Sequence, residues 1–357
     1  MLRKFFLGAI VCLSFIQGFS QDSTQTAAST SPAPTITGSV DAYFRYNFND
    51  PKAGGSLNDL NNYTSFTNSQ NSFQLGMASI RADHSFGKAS ATIDLGFGTR
   101  AEEFSYGDPN HPSLFAVKQA YISYAISNKF KLTIGKWATH IGYEVTDAYL
   151  NRNYSMDYMF SYGPFSHTGL KADIGLGKKS ALMLGVASTT DHVADTSSRK
   201  FAIAQFSTGT SDDKVKFYLN YQGSYGGAYS VTQFDAVLTA AITSKFSIGY
   251  NGTVQTVKPE GLSSASWWGS AVYLTADPTT AFGITLRAEY FDNKKAVVAA
   301  PATSIFDVTL SPNFRVGNLT IIPELRLDAG KDEIFEKSDD TPTKTTVTGI
   351  LAATYHF

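Results

Sequence analysis

Asp147, Ser161 and His167 are the three residue types of a nucleophilic triad, and they lie within about twenty positions of one another. A hydrolase needs such a serine, a base to take its proton and a carboxylate to orient the base. No Gly-x-Ser-x-Gly turn surrounds Ser161, and sharing one stretch of chain does not make a triad. The residues therefore argue against an enzyme. The histidines at 84, 111, 140, 167, 192 and 356 lack i, i+2 or i, i+4 ligand spacing, so no metal site is expected. Asn49-Asp50 and Asn58-Asp59 lack the order of a calcium loop. The glycines between Gly223 and Gly227 fall in a turn, not at a strand-to-helix phosphate cradle. No cofactor is implied. The chemistry that remains is electrostatic, and its meaning depends on the elements that carry the charges.

Those elements alternate with period two. Ile36, Val40, Ala42, Phe44, Tyr46 and Phe48 share one parity, against Asp41, Tyr43, Arg45 and Asn47 on the other. Successive side chains of a strand point to opposite faces, so this is a strand with one apolar and one polar face. The pattern returns at 89–97, 215–222, 246–254, 282–290, 319–328 and 347–357. Segments 200–208 and 266–276 read as strands on weaker alternation. Near 71–86 the apolar parity slips from Phe73, Leu75 and Met77 to Ala78, Ile80 and Ala82, which predicts a bulge. Pro323 lies inside a strand and cannot donate to the ladder, so a bulge or a missing bond is expected there.

Composition agrees with an all-β chain. Of 357 residues, 17% are charged and 13% aromatic, too few charges and too many rings for a disordered chain. Lys+Arg and Asp+Glu stand at 29 against 30, so no nucleic-acid partner is indicated. Arg3 and Lys4 precede an apolar run from Phe5 to Ile16 and then Gln17-Gly18-Phe19-Ser20. That is the layout of a secretory signal peptide over 1–20, and the run is short for a membrane-spanning helix. Cleavage would take the net charge from −1 to about −3 and would remove Cys12, the one cysteine. Residues 21–35 hold no large apolar side chain and read as a flexible periplasmic leader.

Connections also alternate. Short links are expected at 87–88, 127–129, 175–179, 209–213, 243–245, 277–280 and 311–318. Longer ones span roughly 49–70, 99–116, 137–165, 188–199, 223–230, 257–265, 292–303 and 330–343. About sixteen strands with short turns on one side and longer loops on the other describe a transmembrane antiparallel up-and-down β-barrel over 36–357, with both termini periplasmic. Outward rings gather near strand ends, as membrane interfaces favour: Phe130, Phe246, Phe282 and Phe357 on the short-turn side, and Tyr46, Phe48, Tyr221, Tyr250 and Tyr290 on the other. Sixteen strands leave a water-filled lumen, which points to a passive channel for small hydrophilic solutes. An enzyme (a hydrolase) or an adhesin on the same barrel is the alternative.

The polar parity then lines the lumen. Its bases include Arg45, Arg81, Lys118, Lys131, Lys136, Lys171, Arg287 and Arg326, and its acids include Asp41, Asp83, Asp94, Asp173, Asp235, Glu289, Glu324 and Asp328. Rings of one sign select ions, so this near balance predicts weak selectivity. Many of these charges are expected simply to pair, Glu289 with Arg287 and Glu324 with Arg326 among them. The longest connection, 137–165, is rich in Tyr and Asn and is read as a loop that folds inward and narrows the pore. Glu144, Asp147, Arg152 and Asp157 would set the constriction with Lys136 and Lys171. An external cap is the competing reading, and His167 is expected to hydrogen-bond at the loop base.

The closing Thr354-Tyr355-His356-Phe357 looks like the carboxy-terminal signal of bacterial outer-membrane proteins, with Tyr355 and Phe357 as its aromatics. Ile134-Gly135-Lys136, Ile141-Gly142-Tyr143-Glu144, Asn153-Tyr154-Ser155 and Phe160 through Leu170 together resemble the OmpL-like outer-membrane β-barrel porin family, as do 94–98 and Ile322-Pro323-Glu324. The resemblance implies a porin-type channel in the outer membrane of a Gram-negative bacterium. It also implies insertion by the barrel assembly machinery with periplasmic chaperones. The partners expected are outer-membrane lipid and small hydrophilic solutes, and the outward faces leave room for a homo-oligomer.

Overall fold

The computed structural model describes residues 32–52, 60–105, 114–195, 197–225 and 227–357. The signal peptide expected at 1–20 and most of the leader expected at 21–35 lie outside the described residues.

Alternating segments become strands because each can give one face to an apolar surrounding and the other to a polar one. In chain order they are β1 (Thr35–Asn47), β2 (Ser72–Phe86), β3 (Ala89–Phe97), β4 (Val117–Ser127), β5 (Phe130–Ala138), β6 (Ser166–Gly175), β7 (Ala181–Ala187) and β8 (Phe201–Gly209). They continue as β9 (Val215–Ser224), β10 (Tyr229–Ala241), β11 (Phe246–Pro259), β12 (Ala265–Ala276), β13 (Phe282–Asp292), β14 (Ser304–Val316) and β15 (Leu319–Gly330). A two-residue pair, β16 (Phe335–Glu336) and β17 (Pro342–Thr343), precedes β18 (Thr345–His356). Among the described residues, sixteen strands close one antiparallel barrel in sequence order, β18 sealing it between β15 and β1, while β16 and β17 form a separate hairpin in the last long loop. Closure leaves no edge whose backbone groups lack partners in a bilayer.

Residues on the two faces have opposite fates. Phe73, Ile122, Ile134, Val186, Leu325 and Leu351 are exposed on the outside. Arg45, Asn47, Arg287, Glu289, Asp307 and Thr309 are buried inside. A large apolar exterior of this kind calls for an apolar surrounding. Rings mark both rims: Phe86, Phe314 and Phe357 are exposed on one, Phe48, Phe73 and Trp268 on the other.

The tightest links, Gly87-Lys88 and Gly317-Asn318, place glycine at φ +59, the left-handed conformation a two-residue hairpin needs in its first position. The link expected over 311–318 is thus too long: β14 runs through Pro312 to Val316. Pairing of β14 with β15 stops at Leu310–Leu325 and resumes in the same register at Phe314–Ile321. Pro312 therefore faces Pro323, and the absent rungs fall where neither proline has an N–H to give. That is the missing bond expected at Pro323, doubled by a second proline. The bulge expected in β2 is Gly76, skipped where Asp41 pairs with Met77 and Ala42 with Leu75.

Among the described residues, the loops after β3 and β5 hold helical structure of their own. Helix α1 (Thr99–Phe104) follows β3. A 3-10 turn (Ala148–Leu150) and helix α2 (Tyr158–Tyr162) lie between β5 and β6.

Candidate functional site: the lumen and its inserted loop

Residues 139–165 join β5 to β6 and have no period-two run, so they cannot add to the wall. Thr139 N–H donates to the Phe165 carbonyl at 2.9 Å and closes the base of the loop. From there the chain crosses the lumen. His140 Nε2 donates to the Tyr221 carbonyl of β9 (3.0 Å), Gly142 N–H to Asp235 of β10 (3.1 Å) and Tyr143 N–H to Asn251 of β11 (3.2 Å). Tyr143 stacks on Tyr273 of β12 with centroids 4.1 Å apart. Farther along, the Tyr149 ring lies over His356 of β18, and Arg152 grips Asp277, in the short turn after β12, through both guanidinium nitrogens at 3.1 and 2.9 Å. The loop thus descends from the long-loop rim to the short-turn rim.

The way back is held by carboxylates on backbone amides. Glu324 of β15 accepts from Tyr154 N–H (2.7 Å) and Ser155 N–H (3.0 Å). Glu289 of β13 accepts from Tyr158 N–H (2.7 Å) and Met159 N–H (2.9 Å), the first amides of α2. Helix-start amides have no partner within the helix, so an anion there is favoured. Asp157 caps the same helix, accepting from Phe160 N–H at 2.6 Å. The carbonyls are held as well: Arg287 donates to Ser155 O and Arg326 to Met156 O, both at 2.7 Å. Hydrogen bonds to charged groups contribute about 1.5–3 kcal/mol each.

Arg287 also bridges Glu144 of the loop (2.6 Å) and Asp307 of β14 (3.2 Å), while Arg326 pairs with Asp307 (2.6 Å) and Asp328 (2.7 Å). Burial, reinforced by the nearby Asp157 charge and opposed by Arg287, pushes the Glu144 carboxyl above the ordinary carboxylate range. Around this cluster pack Tyr158, Met159, Trp267, Tyr273 and Phe291. A second layer of Phe66, Phe104, Met156, Phe160 and Phe165 ties the loop to the first loop and to α1.

The family described as "Putative beta-barrel porin-2, OmpL-like" matches residues 34–357. The chain belongs to this family. Solved structures share the barrel at low identity. The anion-selective porin from Comamonas acidovorans aligns at TM-score 0.59 and 11% identity over 91% of this chain and 99% of its own. The outer membrane channel DcaP of Acinetobacter baumannii aligns at 0.58 and 11%, over 91% and 97%. OprB of Pseudomonas putida aligns at 0.60 and 9%, over 91% and 94%. No curated protein matches the chain.

In this porin the residues singled out from sequence fall into five groups. Glu144, Asp157, Arg287, Glu289 and Arg326 meet in the buried cluster just described, while Glu324 of β15 holds the amides of the same loop and Arg152 ties that loop to Asp277. Lys118 lies between Asp94 (3.2 Å) and Asp147 (2.6 Å). Lys136 donates to Val117 O at 2.9 Å beneath the Phe104 ring, and Lys171 lies over Trp137. Arg45 stands apart, its guanidinium donating to the carbonyls of Leu60, Asn61 and Ser69 in the first loop. His167 contacts Thr139 at 3.1 Å, at the loop base as expected.

Two expected pairings are replaced. Glu289 and Glu324 hold loop amides rather than Arg287 and Arg326, because the amides are presented directly to them while Asp307, Asp328 and Glu144 satisfy the arginines. The triad residues go separate ways: Ser161 Oγ donates to Asp157 O and accepts from Ser65 N–H, Asp147 pairs with Lys118, and His167 contacts Thr139. Asp307, Tyr154, Tyr273, Arg100 and Asp277 escaped the sequence reading as site residues. Only Asp307 had a local signal, its polar parity between Phe306 and Val308.

Proposed function

We propose that this porin is a passive diffusion channel for small hydrophilic solutes, weakly ion-selective, in the outer membrane of a Gram-negative bacterium. One observation carries the reading: a sixteen-strand barrel, apolar outside and polar inside, whose lumen is crossed by a wall-anchored loop at 139–165. Sixteen strands are wide enough for water, and an inserted loop narrows the path without sealing the wall. Weak selectivity is supported by inward charges that meet as opposite pairs: Arg81 with Asp83 at 2.6 Å, and Lys131 with Asp173 at 3.6 Å. Diffusion rather than catalysis fits the separate partners of Ser161, His167 and Asp147.

Export by a signal peptide cleaved after residue 20, periplasmic termini and insertion by the barrel assembly machinery belong to the same reading. The start of β1 and the end of β18 meet at the short-turn rim, where Gly38 and Phe357 exchange backbone hydrogen bonds at 3.0 Å, and the exposed Tyr355 and Phe357 are available to an assembly receptor. A homo-oligomer would use the apolar outer face. The solved OmpT of Vibrio cholerae, similar in fold, has a trimer form.

The test is single-channel conductance of refolded protein in a planar bilayer under a salt gradient. Steady current with a small reversal potential is expected, and deletion of 144–160 should raise the conductance. An inserted barrel that passes no current would overturn the proposal.

A further inference from the structure

A cavity of about 470 Å³ opens at the long-loop rim, between the end of the inserted loop and the wall formed by β8 to β11. Its walls are of two kinds. Tyr162, Phe201 and Tyr229 bring aromatic rings, and Gln222 and Gln255 bring side-chain amides. The Tyr229 ring is braced by the Arg199 guanidinium, 3.7 Å from its centroid, which also donates to Ser224 Oγ at 2.7 Å and to the Tyr229 carbonyl.

The amides belong to a row. Gln222, Gln233 and Gln255 sit directly opposite one another on β9, β10 and β11, and Trp267 follows on β12. Gln222 Nε2 donates to Gln233 Oε1 (2.6 Å), Gln255 Nε2 to the same oxygen (3.0 Å), and Trp267 Nε1 to Gln255 Oε1 (3.1 Å). The row fixes each amide plane. It leaves one oxygen over. Gln222 is 2% exposed, yet its Oε1 has no hydrogen-bond partner among the described residues. A buried acceptor without a donor calls for an explanation, and here its residue lines a cavity.

The chemistry that fits is narrow. A ligand must donate a hydrogen bond to Gln222 Oε1 and rest apolar C–H groups on ring faces, whose negative quadrupole favours them. Among the described residues no Lys, Arg or His lines the cavity, and the nearby Arg199 is engaged with the Tyr229 ring, Ser224 and the Tyr229 carbonyl, so the lining offers an anion no counter-charge. The one acid among the described lining residues, Asp191, already accepts from Phe165 and Ser166 N–H groups at 2.6 and 2.8 Å. A neutral polyhydroxylated ring meets both demands, and the volume lies in the range of small-ligand pockets.

We propose that this cavity is a binding subsite for neutral carbohydrate at the mouth of the channel, a sugar hydroxyl donating to Gln222 Oε1 and the ring packing against Tyr229 and Tyr162. The proposal rests on the channel reading above and names its solute class.

The full barrel is to be titrated with maltose in two ways, by block of the potassium chloride current in a planar bilayer and by calorimetry in detergent, with L-glutamate and L-arginine as charged comparisons. Saturable maltose binding is expected. Gln222→Leu and Tyr229→Ala should each raise the half-saturating concentration about 5- to 10-fold, the worth of one hydrogen bond or ring contact. A linear, unsaturable response to maltose, saturation unaffected by both substitutions, or saturation by glutamate or arginine in its place would overturn the proposal. Absence of current with calorimetric maltose binding intact would overturn the channel reading and leave the carbohydrate site standing. The reverse result would do the opposite.

Discussion

The Tyr154 hydroxyl donates to Asp41 Oδ2 at 2.5 Å, joining the tip of the inserted loop to the first strand of the barrel. The contact exists because β2 bulges at Gly76, leaving room for the carboxylate and the phenol together. A side chain at 76 would occupy the space of both. Arg100 of α1 lies 3.9 Å from the same carboxylate and 5.0 Å from the Tyr154 ring centre, so three segments distant in sequence converge here.

Gly76→Ala should therefore detach Tyr154 from Asp41. Its cost is expected at about 1–3 kcal/mol, through overpacking and a buried polar pair left unsatisfied. Guanidinium unfolding of the refolded barrel measures the cost. An unchanged midpoint would show that the bulge has slack.

Glu289 and Glu324 hold two backbone amides each. Glu289→Ala strands the Tyr158 and Met159 N–H groups, and Glu324→Ala those of Tyr154 and Ser155. Each unsatisfied buried donor costs about 1–3 kcal/mol. Hydrogen exchange at these amides should accelerate in the matching variant while the amides of β9 and β10 stay protected. Equal acceleration everywhere would mean the carboxylates support the whole barrel rather than the loop.

Glu144 gives the docked loop a pH dependence. Burial raises its carboxyl from the ordinary 4.5 to about 8, so the docked loop binds the proton more tightly than the released loop. Its contribution is complete below pH 4.5 and is lost as pH rises through about 8. Docking should be firmer at pH 5 than at pH 9, seen as quieter single-channel current at the lower pH, and Glu144→Gln should flatten the difference. A loop that is quieter at pH 9 would contradict the sign.

Arg81 and Asp83 form an inward ion pair that keeps about a third of its surface in water. Arg81→Gln leaves the carboxylate uncompensated beside the solute path. The reversal potential under a salt gradient should then move toward cation preference, and Asp83→Asn should move it the other way. Identical potentials in both variants would place this pair off the ion path.

The barrel was legible because its signal is local. Whether Val40 or Asp41 faces outward follows from the parity of each against its neighbours, and that rule repeats strand by strand. The slip at 73–82 and the unpaired Pro323 were legible for the same reason, since a bulge changes parity and proline lacks a donor. The link at 311–318 was misread because Ser-Pro-Asn reads as a turn when Pro323, far along the chain, is not seen to face Pro312.

The inserted loop shows the other limit. Its length and Tyr/Asn content marked it as ordered, but nothing near Tyr158 announces that Glu289, more than a hundred residues away, will take its amide. The pairing of Arg287 with Glu144 and Asp307, and the row of glutamines with its one unmatched oxygen, likewise arise between strands. Sequence by itself determined which side chains face in and which face out, because that choice is made between a polar and an apolar surrounding one residue at a time. Only closure of the barrel decided which inward groups meet, because distance across a lumen is set by the whole ring of strands and by no single segment of it.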